Sequence, residues 1–413
     1  MTSTLFKSAH LIDPTTNLDE NGDLLVEEGV IKAVGGQIEA PAGARVIDAR
    51  NRVLCPGFID MRAHSVDLKS AAKGGITTLI LQPDQTTCID TDAAVERIRA
   101  RAVSAGSVRV YPMGAATLGL KGEQLAELGQ MKQSGAVAFT DCMQPVSNAT
   151  MLRRLMEYAG YFGALVVQFP LAGDLHGDAI ATEGEAATRL GLRAAPAIAE
   201  VIQIERDCRL AALVDAPIHF SLVTTRDGVE AIRKAKAAGL KVSAATSPAY
   251  LHFNDQALEG YRTFAKLHPP LRSESDRLAV IDGLADGTLD CLVSDHHPRS
   301  EDLKRLPFTQ ASAGAVGFET LLPAALSSVH AGKVSMPRLV DSLTHQPAKL
   351  LGLETGNLRV GSPADLTLFD PDAPQIVDRK ALVSSAKNTP FDTMPLSGVV
   401  RACFVGGAEI TEA

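Results

Sequence analysis

The sequence predicts an α/β fold, a (β/α)8 TIM-like barrel carrying a small β-sandwich domain built from both chain ends. Two observations predict it. Through the middle of the chain, short apolar runs alternate about eight times with longer amphipathic segments, as strand and helix do in a barrel. At both ends that texture gives way to short runs of alternating apolar and polar residues, broken by turn residues. A length of 413 residues accommodates one barrel with an accessory domain. The expected division is residues 1–53 plus 356–413 for the small β domain and 54–355 for the barrel.

Taken in order, "LFKSAHLID", "GDLLVEEGVIKAVGG" and "ARVIDARNRVL" read as small antiparallel strands. The first barrel strand is expected at Cys55 to Asp60. It is followed by "GITTLILQP", "SVRVYPMGA", "SGAVAFTD", "GALVVQFP", "APIHFSLV", "LKVSAATSP" and "TLDCLVSDHHP". Helical patterns lie between them, among them "DAAVERIRARAVSAG", "NATMLRRLMEYAGYFG", "AIAEVIQIERDCRLAALVD" and "RDGVEAIRKAKAAG". After Gly356, "GSPADLTLFDPDAPQIVD" and "SGVVRACFVGGAEI" return to the β texture. A doubly wound open sheet is the structural alternative, but no glycine-rich phosphate fingerprint opens any of these helices.

Composition narrows the function. The chain is 46% hydrophobic, 21% charged and 4% aromatic without tryptophan, which describes a globular protein with an aliphatic core. A net charge of -8 and the lack of a Lys/Arg-rich run with interleaved aromatics argue against nucleic acid as partner. The six cysteines are scattered without C-x-x-C spacing, so they read as reduced thiols rather than a disulfide framework or zinc ribbon. The start "MTSTLFKSAHLID" lacks a signal-peptide pattern and no apolar run reaches membrane-span length, so a cytoplasmic location is expected.

Barrel enzymes place reacting groups at the C-terminal ends of strands. Those positions here are Asp60, Arg62 and His64; Asp84; Asp141 and Cys142; Gln168 and Phe169; His219 and Leu222; Ser247 to Tyr250; and Asp295, His296 and His297. As a metal cage the set is thin. It offers His64, Asp141 and Asp295, helped by Cys142 or His296, where a catalytic zinc site wants three or more ligands and an open position. Arg62 is expected to be a buried cation neutralising Asp60, Asp141 or Asp295. His219 on an apolar strand is read as a core histidine, His176 as a solvated loop residue, and the pair His296 and His297 as the best carrier of residual function.

Several segments together, "PGFID", "GGITTLILQPD", "GAVAFTD", "HPPLRSESDR", "DGTLDCLVSDHHP", "AGAVGFETLLPAAL" and "KNTPFD", resemble the dihydroorotase branch of the amidohydrolase superfamily, in order and over nearly the whole chain. The resemblance implies a metal-dependent cyclic amidohydrolase whose first strand ends His-x-His, followed by an arginine that grips the substrate carboxylate. Here the first histidine position holds Arg62, the second holds His64, and the gripping arginine is absent. The family's asparagine after the second strand is Asp84, one ligand histidine gives way to "VVQFP" with Gln168 and Phe169, and another to Leu222. Asp141 matches a ligand-bearing acid. Asp295 matches the aspartate that binds metal and serves as general base, with His296 following it.

The resemblance therefore implies a dihydroorotase-like chain that kept its fold and lost its metal site. No metal is expected, and Asp295 is a vestigial general base. In the resembling systems such chains are non-catalytic partners of aspartate carbamoyltransferase, so a hetero-oligomer with its catalytic subunit in pyrimidine biosynthesis is the expected setting. Two alternatives stay open. One is a working dihydroorotase with a reduced zinc site on His64, Asp141 and Asp295. The other is a metal-free binding protein for a pyrimidine intermediate that uses Arg272 and His296.

Overall fold

The computed structural model describes residues 3–411. Both chain ends enter one eight-stranded sheet. Its order is Ala408–Glu409, Pro395–Val405, Leu366–Ile376, Val53–Pro56, Ser3–Asp13, Leu18–Glu27, Val30–Val34, with Arg45–Asp48 also paired to Ser3–Asp13. Most pairings are antiparallel, while Ser3–Asp13 runs parallel to Val53–Pro56 and Arg45–Asp48. The sandwich expected at this end is one continuous ladder that curls over itself. Phe6 and Phe404 lie three strands apart in that order, roughly 14 Å if the sheet were flat, yet their rings meet edge to face at 5.0 Å. Between them Leu11, Leu24, Leu54 and Leu366 close a separate apolar core.

Eight successive parallel segments follow: Phe58–Ala63, Ile76–Leu81, Arg109–Pro112 with Gly114–Ala115, Ala138–Thr140, Leu165–Gln168, Ile218–Phe220, Val242–Thr246 and Cys291–Leu292. The ladder is interrupted at Met113. On the far side, the first and last segments are joined through a parallel bridge between Ala63 and His296. That bridge lies beside the strand-end residues of interest, and the His64 N–H donates to the His296 carbonyl at 2.9 Å.

The boundary differs from the expected one. Cys55 and Pro56 belong to the small domain's strand Val53–Pro56, and the barrel strand begins at Phe58. Gly57 divides the two because the chain passes so close to the next strand that a Cβ there would sit 2.2 Å from the Thr77 side chain.

The helices form where caps and periodicity place them. Thr91, Asn148 and Thr225 accept backbone N–H bonds at the starts of Asp92–Ala105, Ala149–Gly160 and Arg226–Ala237. Ser273 and Asp276 make a capping box on Glu274–Ala285. Among the described residues, no helix is long and apolar enough to cross a membrane.

Candidate active site and its missing metal ligands

The period of two along the first barrel strand sends Asp60 and Arg62 to the same face, with His64 just beyond. All three are buried. Among the described residues, Arg62 is the largest fully buried side chain. Its Nε donates to Asp295 Oδ1 at 2.8 Å, one terminal nitrogen donates to Ser221 Oγ at 3.2 Å, and the other lies 2.9 Å from Met143 Sδ. The guanidinium also faces the Phe169 ring, 5.3 Å from its centre. Of the three carboxylates that Arg62 was expected to neutralise, Asp295 is the one it holds.

Asp60 is satisfied differently. It accepts from the Ser294 N–H at 2.9 Å and the Ser294 hydroxyl at 2.5 Å, and burial pushes its carboxyl up to about 6 despite those bonds. Asp141 turns both oxygens to Thr117, accepting from its N–H at 2.9 Å and its hydroxyl at 2.5 Å. Asp295 itself sits at a left-handed φ of 50°. The cavity it helps line, walled by Ser247, Leu267, Ala315 and Gly317, has a volume of about 20 Å³. That is room for about one water and not for a six-membered ring.

The set His64, Asp141 and Asp295 is not what the fold gathers. The ligand-type atoms that converge belong to His64, Asp84 and His297, all within 4.8 Å of one another. From sequence Asp84 stands only as a strand-end residue in place of the family's asparagine. In the structure its Oδ2 lies 2.6 Å from His64 Nδ1. Burial alone would raise the Asp84 carboxyl, but the bond to His64 and the nearness of His64 and then Arg62 hold it below its ordinary range. His297 stacks on His64, centroids 4.3 Å apart and planes tilted by 20°. Burial first, then His64, Arg299 and Arg62, push the His297 imidazole far down, so it is neutral.

The fold family implies a metal, and these residues do not fit one. An imidazole binds along a lone pair in its own plane at about 2.1 Å. Two rings stacked nearly parallel cannot both aim at one ion at that distance. Asp295, the family's metal-binding aspartate, is bonded to a guanidinium, and Phe169 and Leu222 lie in one buried apolar cluster. Cys142 is buried, with its thiol raised well above the ordinary range by burial, and its sulfur is not among the converging ligand atoms. His64 Nε2 and Asp84 Oδ1 remain buried without hydrogen-bond partners, but neither points to a full ligand set.

The two residues expected to hold an anionic ligand are engaged elsewhere. Arg272 is buried, bonded to Thr224 Oγ1 and Thr182 Oγ1 at 3.0 Å each and ion-paired to Glu200 at 3.4 Å. Its charge is already balanced. His296 packs flat on Phe318 at 3.7 Å, and its Nδ1 accepts the Gly317 N–H at 3.2 Å. Only glycine fits at 317, where a Cβ would stand 2.1 Å from the Ser294 carbonyl oxygen.

Gln168 likewise serves the frame, donating to Asp207 at 3.0 Å and accepting from the Val146 N–H. His219 is a core histidine, buried with Nδ1 2.9 Å from Ser243 Oγ. His176 departs from expectation. It is buried rather than solvated, because its ring packs edge-on to His268 at 5.2 Å. Glu200 was missed altogether. Its partners Thr224 and Thr225 are 24 and 25 residues away, a spacing that carries no local signal.

Comparison with known proteins agrees with the frame. The profile of the dihydro-orotase-like family matches residues 52–228, and that of the amidohydrolase family matches residues 211–410. A protein named dihydroorotase from Geobacter metallireducens is 40% identical over 98% of both chains. Another of that name, from Desulforapulum autotrophicum, is 41% identical over 97% of both. Among solved structures, L-hydantoinase from Arthrobacter aurescens superposes with a TM-score of 0.86 at 27% identity, covering 99% of this chain and 96% of that one. Dihydropyrimidinase from Brevibacillus agri shares the fold with a TM-score of 0.85 at 23% identity, covering 99% and 95%. The (β/α)8 frame, the strand-end positions and these relatives together place the chain in the dihydroorotase-like family of amidohydrolases.

Proposed function

We propose that this chain is a catalytically silent dihydroorotase-like protein that acts as a structural subunit, assembling with the catalytic subunit of aspartate carbamoyltransferase in pyrimidine biosynthesis. The observation that carries the loss of catalysis is the bond between Arg62 and Asp295. A general base must be free to take a proton, and a hydrolytic water must be acidified by a metal from its bulk pKa of about 15.7. Here a fixed cation holds the base, and Arg62, Phe169 and Leu222 stand where the family resemblance implies metal-binding imidazoles. The partner is what the family resemblance implies. A frame retained over the whole chain, with losses concentrated in the pocket, supports a role carried by the surface.

One experiment tests both parts. The full chain is purified alone and with the transferase catalytic subunit, then assayed for zinc, for cyclisation of carbamoyl aspartate and for co-elution on a sizing column. The expected result is a metal-poor, inert chain that elutes with the transferase as a larger species. Stoichiometric zinc with turnover by the chain alone overturns the reading in favour of an active dihydroorotase. Inertness without co-elution removes the assembly role.

A further inference from the structure

Outside the barrel interior, a pocket of about 460 Å³ opens between the loop after the last strand and the loop that joins Leu366–Ile376 to Pro395–Val405. Four cations line it: Arg299, Lys304, Arg379 and Lys387. The one acidic residue in its wall, Glu301, is exposed and already paired with Arg305 on the same short helix. For a chain of net charge -8, this is a local reversal of sign.

Three of the four cations are held by neutral groups. Arg299 Nε donates to the Ala313 carbonyl at 2.8 Å, and a terminal nitrogen lies 3.4 Å from His297 Nδ1. Lys304 Nζ donates to the carbonyls of Thr263 at 2.9 Å and Lys266 at 3.4 Å, and Lys387 Nζ donates to the carbonyl of Leu382. Arg379 alone has a carboxylate, Asp392 at 3.3 Å, and its guanidinium also faces the Phe264 ring. Carbonyl oxygens satisfy donors but cancel no charge. Burial first, then Arg299 and Lys266 nearby, hold the Lys304 amine down to about 7.

We propose that this pocket binds a small, multiply charged oxyanion, a metabolite bearing phosphate or several carboxylates, between the guanidinium groups of Arg299 and Arg379 and the amines of Lys304 and Lys387. The volume falls in the range of small-molecule sites. Arginine forks and lysine point charges are the groups that recognise such anions. The proposal is independent of whether the barrel interior is catalytic.

The test is thermal denaturation and titration calorimetry of the full chain with pyrophosphate, citrate and, at matched ionic strength, sodium chloride. The expected result is a saturable rise in Tm with an oxyanion, absent with chloride. Arg299→Gln and Lys387→Gln are each expected to weaken binding about tenfold, the loss of one charge-assisted contact. Lys387 is half-buried rather than in the core, so Lys387→Gln reports even if the arginine variant fails to fold. A response to pyrophosphate alone assigns the site to phosphates, and a response to citrate alone assigns it to carboxylates. Equal shifts with chloride, or unchanged binding in the folded Lys387→Gln variant, overturn the proposal.

Discussion

Arg62 Nε and Asp295 Oδ1 are 2.8 Å apart inside the barrel, joining the first strand to the loop after the last across 233 residues of sequence. A cation and a carboxylate taken out of water are tolerated because each supplies what the other lost in hydration. Removing one leaves the other buried alone.

Arg62→Met is therefore expected to destabilise the fold by about 3–5 kcal/mol. Adding Asp295→Leu should recover most of that loss. Urea denaturation of both variants checks it, and a double variant no more stable than the single one would mean that the two residues are not energetically coupled.

Arg62→His restores the paired imidazoles of the first strand on paper. Zinc measured by mass spectrometry after dialysis should nevertheless stay well below one per chain, since Phe169 and Leu222 still offer no ligand. EDTA should leave Tm unchanged in both proteins. Stoichiometric zinc in the variant would mean that the residues around Asp295 rearrange far more readily than their packing implies.

Glu200 accepts from the N–H groups of Thr224 and Thr225 at 2.9 Å each and pairs with Arg272. Glu200→Gln strands the buried Arg272 charge, and a loss of about 3–5 kcal/mol is expected. Binding of dihydroorotate to Arg272→Met should match that to the parent protein, because the guanidinium is already spent on Glu200. Calorimetry on the two proteins decides it.

Acid should destabilise the protein through its buried histidines. His219, His268 and His296 are held down to about 3, in each case by burial first. An unfolded imidazole protonates near pH 6.5. Between pH 6.5 and 3 the unfolded chain therefore binds protons that the folded chain refuses, and stability falls with pH by about 1.4 kcal/mol per unit for each ring. Asp60, raised to about 6, acts in the opposite sense. Its contribution is present below about pH 4 and lost as pH rises to 6. Three rings outweigh one carboxyl, so Tm should drop from pH 6.5 to pH 4. The drop should be shallower in His219→Gln and steeper in Asp60→Asn. An unchanged profile in His219→Gln would contradict a neutral, buried His219.

The sequence by itself determined the two-part architecture, since apolar periodicity is a local property that each segment carries with it. It also determined which residues stand at three of the family's ligand positions, an arginine, a phenylalanine and a leucine in place of imidazoles. Which carboxylate Arg62 would hold was open among Asp60, Asp141 and Asp295. Only the tertiary structure decided it, by giving Asp60 to Ser294 and Asp141 to Thr117 before the guanidinium could reach them. The stacking of His297 on His64, the pairing of Arg272 with Glu200 and the cationic pocket at Arg299 were likewise not legible from sequence. Each joins residues distant along the chain, and such contacts depend on where strands end and loops cross, which no local pattern records.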